Sequence, residues 1–117
     1  MIIYLPWPPH QLNPNKRLHW AVKRKFTKGY RAACFFAVID VKVASLKGWE
    51  PGEVLPVRIV FHPPDRRKRD RDNMIAAFKA GQDGLADALG IDDAIIEPTY
   101  ATGEPVKGGR VDIELDP

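Results

Sequence analysis

A stretch with a period of two residues precedes a stretch with a helical period, and a dense charge block joins them. That order limits the folds open to this chain. Leu55-Pro56-Val57-Arg58-Ile59-Val60-Phe61-His62 reads as a strand, with Val57, Ile59 and Phe61 on one face and Arg58 and His62 on the other. A helix is expected to begin near Asp72 or Asn73, either of which can cap it, and to run to about Leu89. Gly90 then stops it, and Gly81 and Gly84 weaken it enough to allow a bend. Between the two lies Pro64-Asp65-Arg66-Arg67-Lys68-Arg69-Asp70-Arg71-Asp72-Asn73, whose basic part reads as a loop or strand extension.

The rest of the chain supplies partners for this unit. Ile2 to Leu5 is a short β-branched run halted by Pro6-Trp7-Pro8-Pro9, so it reads as a strand entering a stiff loop. Residues 10 to 26 are polar and basic, which predicts a loop. Thr27 is the expected N-cap of a helix through about Leu46, ended by Gly48 and Pro51. Tyr30, Ala33, Cys34, Ala37, Val41 and Ala44 recur at helical spacing, and Val38, Ile39 and Val43 widen the face, so this helix should be well buried. Ile95 to Ala101 and Arg110 to Leu115 read as strands, with Lys107-Gly108-Gly109 as the turn between them. The expectation is an α+β fold, a mixed sheet of about four strands with two main helices packed on it. At 117 residues the chain forms one domain, 1–117.

Charge is unevenly placed. The net charge is +3, yet residues 1 to 39 hold no Asp or Glu, while Lys16, Arg17, Lys23, Arg24, Lys25, Lys28 and Arg31 all fall there. With the second block at Arg66, Arg67, Lys68, Arg69 and Arg71, this asymmetry points to an anionic partner, and nucleic acid fits best. The lone cysteine, Cys34, sits in an apolar run and reads as a buried thiol; it excludes an internal disulfide and fits a reducing, cytoplasmic setting. The N-terminal segment lacks the features of a signal peptide, and no apolar run reaches membrane-spanning length.

Carboxylates stand against the basic block. Asp70 and Asp72 are two apart, which puts both on one face of an extended segment. Asp92 and Asp93 follow the second helix and must fold back to join them. Carboxylates gathered beside cations suit a hard divalent ion such as magnesium, which takes a few carboxylate oxygens, waters and substrate phosphate. Taken alone, Asp72 is also a plain N-cap and Asp92-Asp93 a polar turn. The three histidines show no ligand spacing. Trp7 and Trp20 read as core or as rings that stack on opened bases, with core or loop anchoring favoured for Trp7 among its prolines.

Leu5-Pro6-Trp7-Pro8-Pro9, the Pro64–Asn73 run with the helix after it, Ile91-Asp92-Asp93 and the Lys107-Gly108-Gly109-Arg110 turn together resemble the RusA family of Holliday junction resolvases. The resemblance covers nearly the whole chain. It implies a homodimeric, magnesium-dependent endonuclease (manganese being an alternative ion) that acts on branched DNA and four-way junctions. It assigns metal binding to Asp70, Asp72 and Asp93, with Asp92 in support. A catalytic lysine is implied where this chain has Ala76. Lys79, followed four residues later by Asp83, matches the lysine after a shift of three residues, a rotation of ~300° and a displacement of ~4.5 Å along the helix. The basic residues Arg66, Arg67, Lys68, Arg69, Arg71, Lys16, Arg17, Lys23, Arg24 and Lys25 would then hold the DNA backbone. A nuclease for flaps or other branches, and a DNA-binding protein without catalysis, remain as alternatives.

Overall fold

The computed structural model describes residues 1–41 and 54–115. Its elements are β1 (Ile2–Pro6), α1 (Trp20–Val41), β2 (Leu55–His62), α2 (Arg71–Leu89), β3 (Ile96–Thr102) and β4 (Arg110–Leu115). Short 3₁₀ turns lie at His10–Leu12 and Asp93–Ile95. The strands form one mixed sheet in the order β1-β4-β2-β3, antiparallel except for the parallel β2–β3 pair. A parallel pair needs a long crossover, and α2 supplies it. The expected α+β architecture, two helices on a four-stranded mixed sheet, is the one observed.

Register explains the core. Ile3 pairs with Ile113, Ile113 with Ile59, and Ile59 with Tyr100, so one line of side chains crosses the sheet. Leu5, Val111 and Phe61 form the next line. All of these but Tyr100 are buried. Phe61 meets Phe78 of α2 edge-on at 5.8 Å, and Phe78 meets Tyr30 of α1 at 6.4 Å. Sheet, second helix and first helix are thus joined through aromatic contacts.

Gly81 and Gly84 do not interrupt α2, which is continuous through both. They are where α1 comes close. A Cβ on Gly84 would lie 2.3 Å from the Arg31 carbonyl oxygen, and one on Gly81 would lie 2.8 Å from the Tyr30 ring. Each glycine costs a helix about 1 kcal/mol of propensity, and the close helix contact offsets that cost. Arg31 spans the same interface, donating two hydrogen bonds to Asp87 at 2.6 and 2.9 Å.

Three expectations are corrected. The first helix starts at Trp20, not Thr27; the Thr27 hydroxyl donates to the Lys23 carbonyl inside the helix. Lys and Arg are good helix formers, so Lys23, Arg24 and Lys25 lie on α1, while Lys16 and Arg17 stay in the loop before it. Burial on α1 is narrower than expected: Tyr30, Cys34 and Val38 form the buried stripe, while Phe36, Ile39 and Val41 are exposed. The second helix is capped by Asp70, which is extended and accepts hydrogen bonds from the Asp72 and Asn73 backbone N–H groups. The expected Lys107-Gly108-Gly109 turn between β3 and β4 is present, with both glycines at positive φ; the two strands it links are not paired, because β2 lies between them in the sheet. The expected end of the first helix, including Val43, Ala44, Leu46, Gly48 and Pro51, lies outside the described residues. Among the described residues no helix is long and apolar enough to cross a membrane.

Candidate functional site

The site gathers at the joint between β2 and α2. Asp65 organises it. Its carboxylate accepts from the Arg67 backbone N–H at 3.0 Å, from Arg69 at 2.9 Å and from the Arg67 Nε at 3.2 Å. The Arg69 hydrogen bond, more than any other contact, holds the Asp65 carboxyl well below the usual carboxylate range. Arg66 stands 3.6 Å from Glu104, and Arg71 donates to the Tyr100 carbonyl. The block is therefore not a uniform row of free cations. Arg67 and Arg69 are braced from within the block by Asp65, Arg66 and Arg71 reach groups outside it, and Lys68 makes no ion pair among the described residues.

Asp70 and Asp72 mark the start of α2. One Asp70 oxygen, Oδ1, caps the helix. Its Oδ2 and the whole Asp72 carboxylate make no hydrogen bond or ion pair among the described residues. Both lie where the helix N-terminus favours negative charge.

Asp93 folds back against α2 but does not form a cluster with Asp70 and Asp72; its partner there is Lys79. The ammonium donates to Asp83 Oδ1 at 2.8 Å and to Asp93 Oδ2 at 2.7 Å. Asp83 and then Asp93 raise the Lys79 pKa, and Lys79 lowers that of Asp93. Asp92 accepts from the Ala94 N–H and caps the 3₁₀ turn that positions Asp93. Seven residues past Asp72 is about two turns, so Lys79 lies on the Asp72 stripe, ~10.5 Å along the axis.

Among the described residues no group of three or more His, Cys, Asp and Glu side chains is arranged to hold a metal ion. The donor chemistry of Asp70 and Asp72 nevertheless fits magnesium, which takes one or two protein carboxylates with water and phosphate completing its shell. The third expected ligand, Asp93, has one oxygen engaged by the Lys79 ammonium.

A cleft of about 750 Å³ opens beside Asp70, between the proline loop after β1 and the start of α2. Lys16, Arg67, Lys68 and Arg69 line it. Arg17, Arg66, Arg71, Lys23, Arg24 and Lys25 do not, the last three lying on α1. Sequence reasoning missed the Arg69–Asp65 and Arg66–Glu104 pairs and the cleft lining by Asn13 and Asn73. The spacing of Asp65 and Arg69, four apart, was the available signal. Trp7, read as a loop anchor, is one: it packs edge-on against Phe61 at 6.2 Å, and it also lines the cleft.

No family model matches the chain. An uncharacterised protein of Xylella fastidiosa (strain Temecula1) is 45% identical over 95 residues, which cover 76% of this chain and 58% of that protein. The chain thus spans little more than half of that relative. The crossover junction endodeoxyribonuclease rusA of Enterobacteria phage 82 is 34% identical over 119 residues, covering 97% of this chain and 91% of the phage protein. Crossover junction endodeoxyribonuclease RusA of Escherichia coli (strain K12) is 31% identical over 120 residues with the same coverage. Similarity at this level, running nearly end to end in both proteins, places the chain in the RusA family of crossover junction endodeoxyribonucleases.

Proposed function

We propose that this protein is a magnesium-dependent, structure-selective endodeoxyribonuclease that resolves four-way DNA junctions by paired phosphodiester cleavage. The observation that carries the reading is the Asp70–Asp72 pair. Its carboxylate oxygens that have no partner among the described residues stand at the positive end of α2, beside a cationic cleft, in a chain similar over 97% of its length to crossover junction endodeoxyribonucleases. Asp70 and Asp72 would hold the ion, with Asp93 as third ligand and Asp92 setting the turn that carries it. When bound, magnesium or manganese supplies an activated water and offsets charge on the scissile phosphate.

The chain's own residues do the rest. Lys79 carries a positive charge on the Asp72 stripe and can stabilise charge on the phosphate or leaving oxygen. Asp83 and Asp93 keep that lysine protonated and in place. Lys68, Lys16, Arg67 and Arg69 hold the DNA backbone, contacts that position the substrate without reading its sequence. A junction is two-fold symmetric, so a homodimer would offer equivalent sites to two opposed strands. Such a reaction belongs in the cytoplasm, where the DNA is.

A substrate panel tests this reading. Four-way junction, flap, Y-shaped and linear DNAs are incubated with magnesium or with chelator. Paired nicks in the junction, absent with chelator, are expected. Preferred cutting of flaps would make the protein a nuclease for other branches. Binding without cleavage under any divalent ion would make it a binder alone.

A further inference from the structure

The cleft beside Asp70 is built for more than a phosphate. Backbone binding needs exposed cations, and Lys16, Arg67 and Lys68 provide them, while Arg69 is largely buried with its guanidinium 6.0 Å over the Trp7 ring. Much of the remaining lining is apolar: Trp7, Pro8, Pro9 and Met74. Trp7 is fixed in place. Phe61 meets it edge-on, and the Gly109 backbone comes so near that a Cβ there would lie 2.7 Å from Trp7 Cβ and Cγ. Two half-buried amides complete the lining, Asn13 and Asn73. Asn13 Oδ1 accepts from the Asn15 N–H, which leaves its NH₂ group as a donor. The Asn73 side chain makes no hydrogen bond among the described residues.

An apolar wall with a rigid aromatic, amides that can meet a base edge, and cations for the flanking phosphates match the chemistry of one unstacked nucleotide. The volume, about 750 Å³, falls in the range of sites that enclose small organic ligands. A base held in a duplex stack cannot enter such a cleft.

We propose that the cleft lined by Trp7, Asn13 and Asn73 receives a single nucleobase that has left the stack at the branch point of a DNA junction. The proposal rests on the junction-nuclease reading and names how that site selects its substrate. Extruding a base costs least where pairing or stacking is already broken, so a branch point yields a base more readily than an intact duplex does. Capture there brings the adjoining phosphodiester to Asp70, which borders the same cleft.

Photocrosslinking tests this directly. A four-way junction carrying an iodouracil base at the branch point is bound to the full chain without divalent metal and irradiated. Mass mapping is expected to find the crosslink on the segment containing Trp7. The same base placed within an arm should give none there. Crosslinks to the exposed Trp20 or elsewhere, or none from a saturated complex, would overturn the proposal. A second arm avoids disturbing the Trp7 packing. The double change Asn13→Ala and Asn73→Ala should weaken junction binding by about fivefold or more, the loss expected for contacts to a base edge, and leave linear duplex binding nearly unchanged. Equal losses on both DNAs would reduce these amides to backbone contacts and overturn it. Junction cleavage by a protein that gives no Trp7 crosslink would spare the functional reading and remove this one. Failure to bind junctions at all would remove both.

Discussion

Asp70 has two jobs, and they can be separated. One oxygen caps α2 and the other has no partner among the described residues. Asn is as good a cap as Asp, so Asp70→Asn should keep the melting temperature and abolish cleavage, with junction binding intact or tighter because a repulsion toward phosphate is gone. Asp70→Ala should also lose about 1 kcal/mol of stability. Single-turnover cleavage, junction titration and thermal melts of both variants give the comparison, and normal cleavage by Asp70→Asn would remove the metal role. Lys79→Ala should slow cleavage about ten- to a thousandfold with little change in affinity; a wild-type single-turnover rate would show that Lys79 serves only to pair Asp83 and Asp93. Asp65 makes the clearest pH prediction. Its pKa is lowered in the fold, so its contribution is present above the ordinary value of about 3.9 and is lost as pH falls toward the lower folded value. Melting curves from neutral to strongly acid pH should show a smaller acid loss in Asp65→Asn than in the native chain.

At the scale of elements, the contact between α1 and α2 sets what the helices tolerate. Gly84→Ala drives a methyl group toward the Arg31 carbonyl, a backbone atom that cannot turn aside. It should destabilise the protein by about 1–3 kcal/mol, as overpacking does. Gly29 on α1 is the control, since a Cβ there meets nothing within 4 Å. Gly29→Ala should stabilise by about 0.4–1 kcal/mol through lower entropy of the unfolded chain. Denaturant melts of the pair decide this, and similar effects at both positions would mean the helices can move apart. Cys34 belongs to the same packed stripe: it is buried, and burial pushes its thiol up to about 11. It is therefore mostly protonated at neutral pH and a poor nucleophile.

At the scale of the whole molecule, the electrostatic surface is smaller than the formal charge implies. Arg31, Arg66, Arg67 and Arg69 each face a carboxylate. Lys16 and Lys68 line the cleft and have no such partner among the described residues. Lys16→Ala and Lys68→Ala should each lower the magnitude of the log–log salt slope of junction binding by roughly 0.9 per lost phosphate contact. Arg66→Ala, which also frees Glu104, should do less to the slope. Equal slopes for all three variants and the native protein would place the DNA on another face.

Elements were legible where local pattern and final burial coincide. The alternation at 55–62 and at 110–115, and the stop at Gly90, needed no knowledge of neighbours, because strand period and a left-handed C-cap are local properties. The candidate carboxylates could be named from residue type and spacing, whereas Lys79 entered as a candidate only through the family resemblance. The start of α1 was not, because a run of Lys and Arg is compatible with loop and helix alike until Tyr30, Cys34 and Val38 find α2 and the sheet to pack on. Nor was strand order, which depends on β4 inserting between β1 and β2 and so on contacts distant in sequence. The same holds for the site. Sequence named its charges, but only the tertiary structure decided which are paired: Asp93 with Lys79, Asp65 with two arginines, and Asp70 and Asp72 with oxygens left unpartnered among the described residues. Pairing depends on distances of a few ångströms between segments far apart in the chain, and no local pattern encodes those.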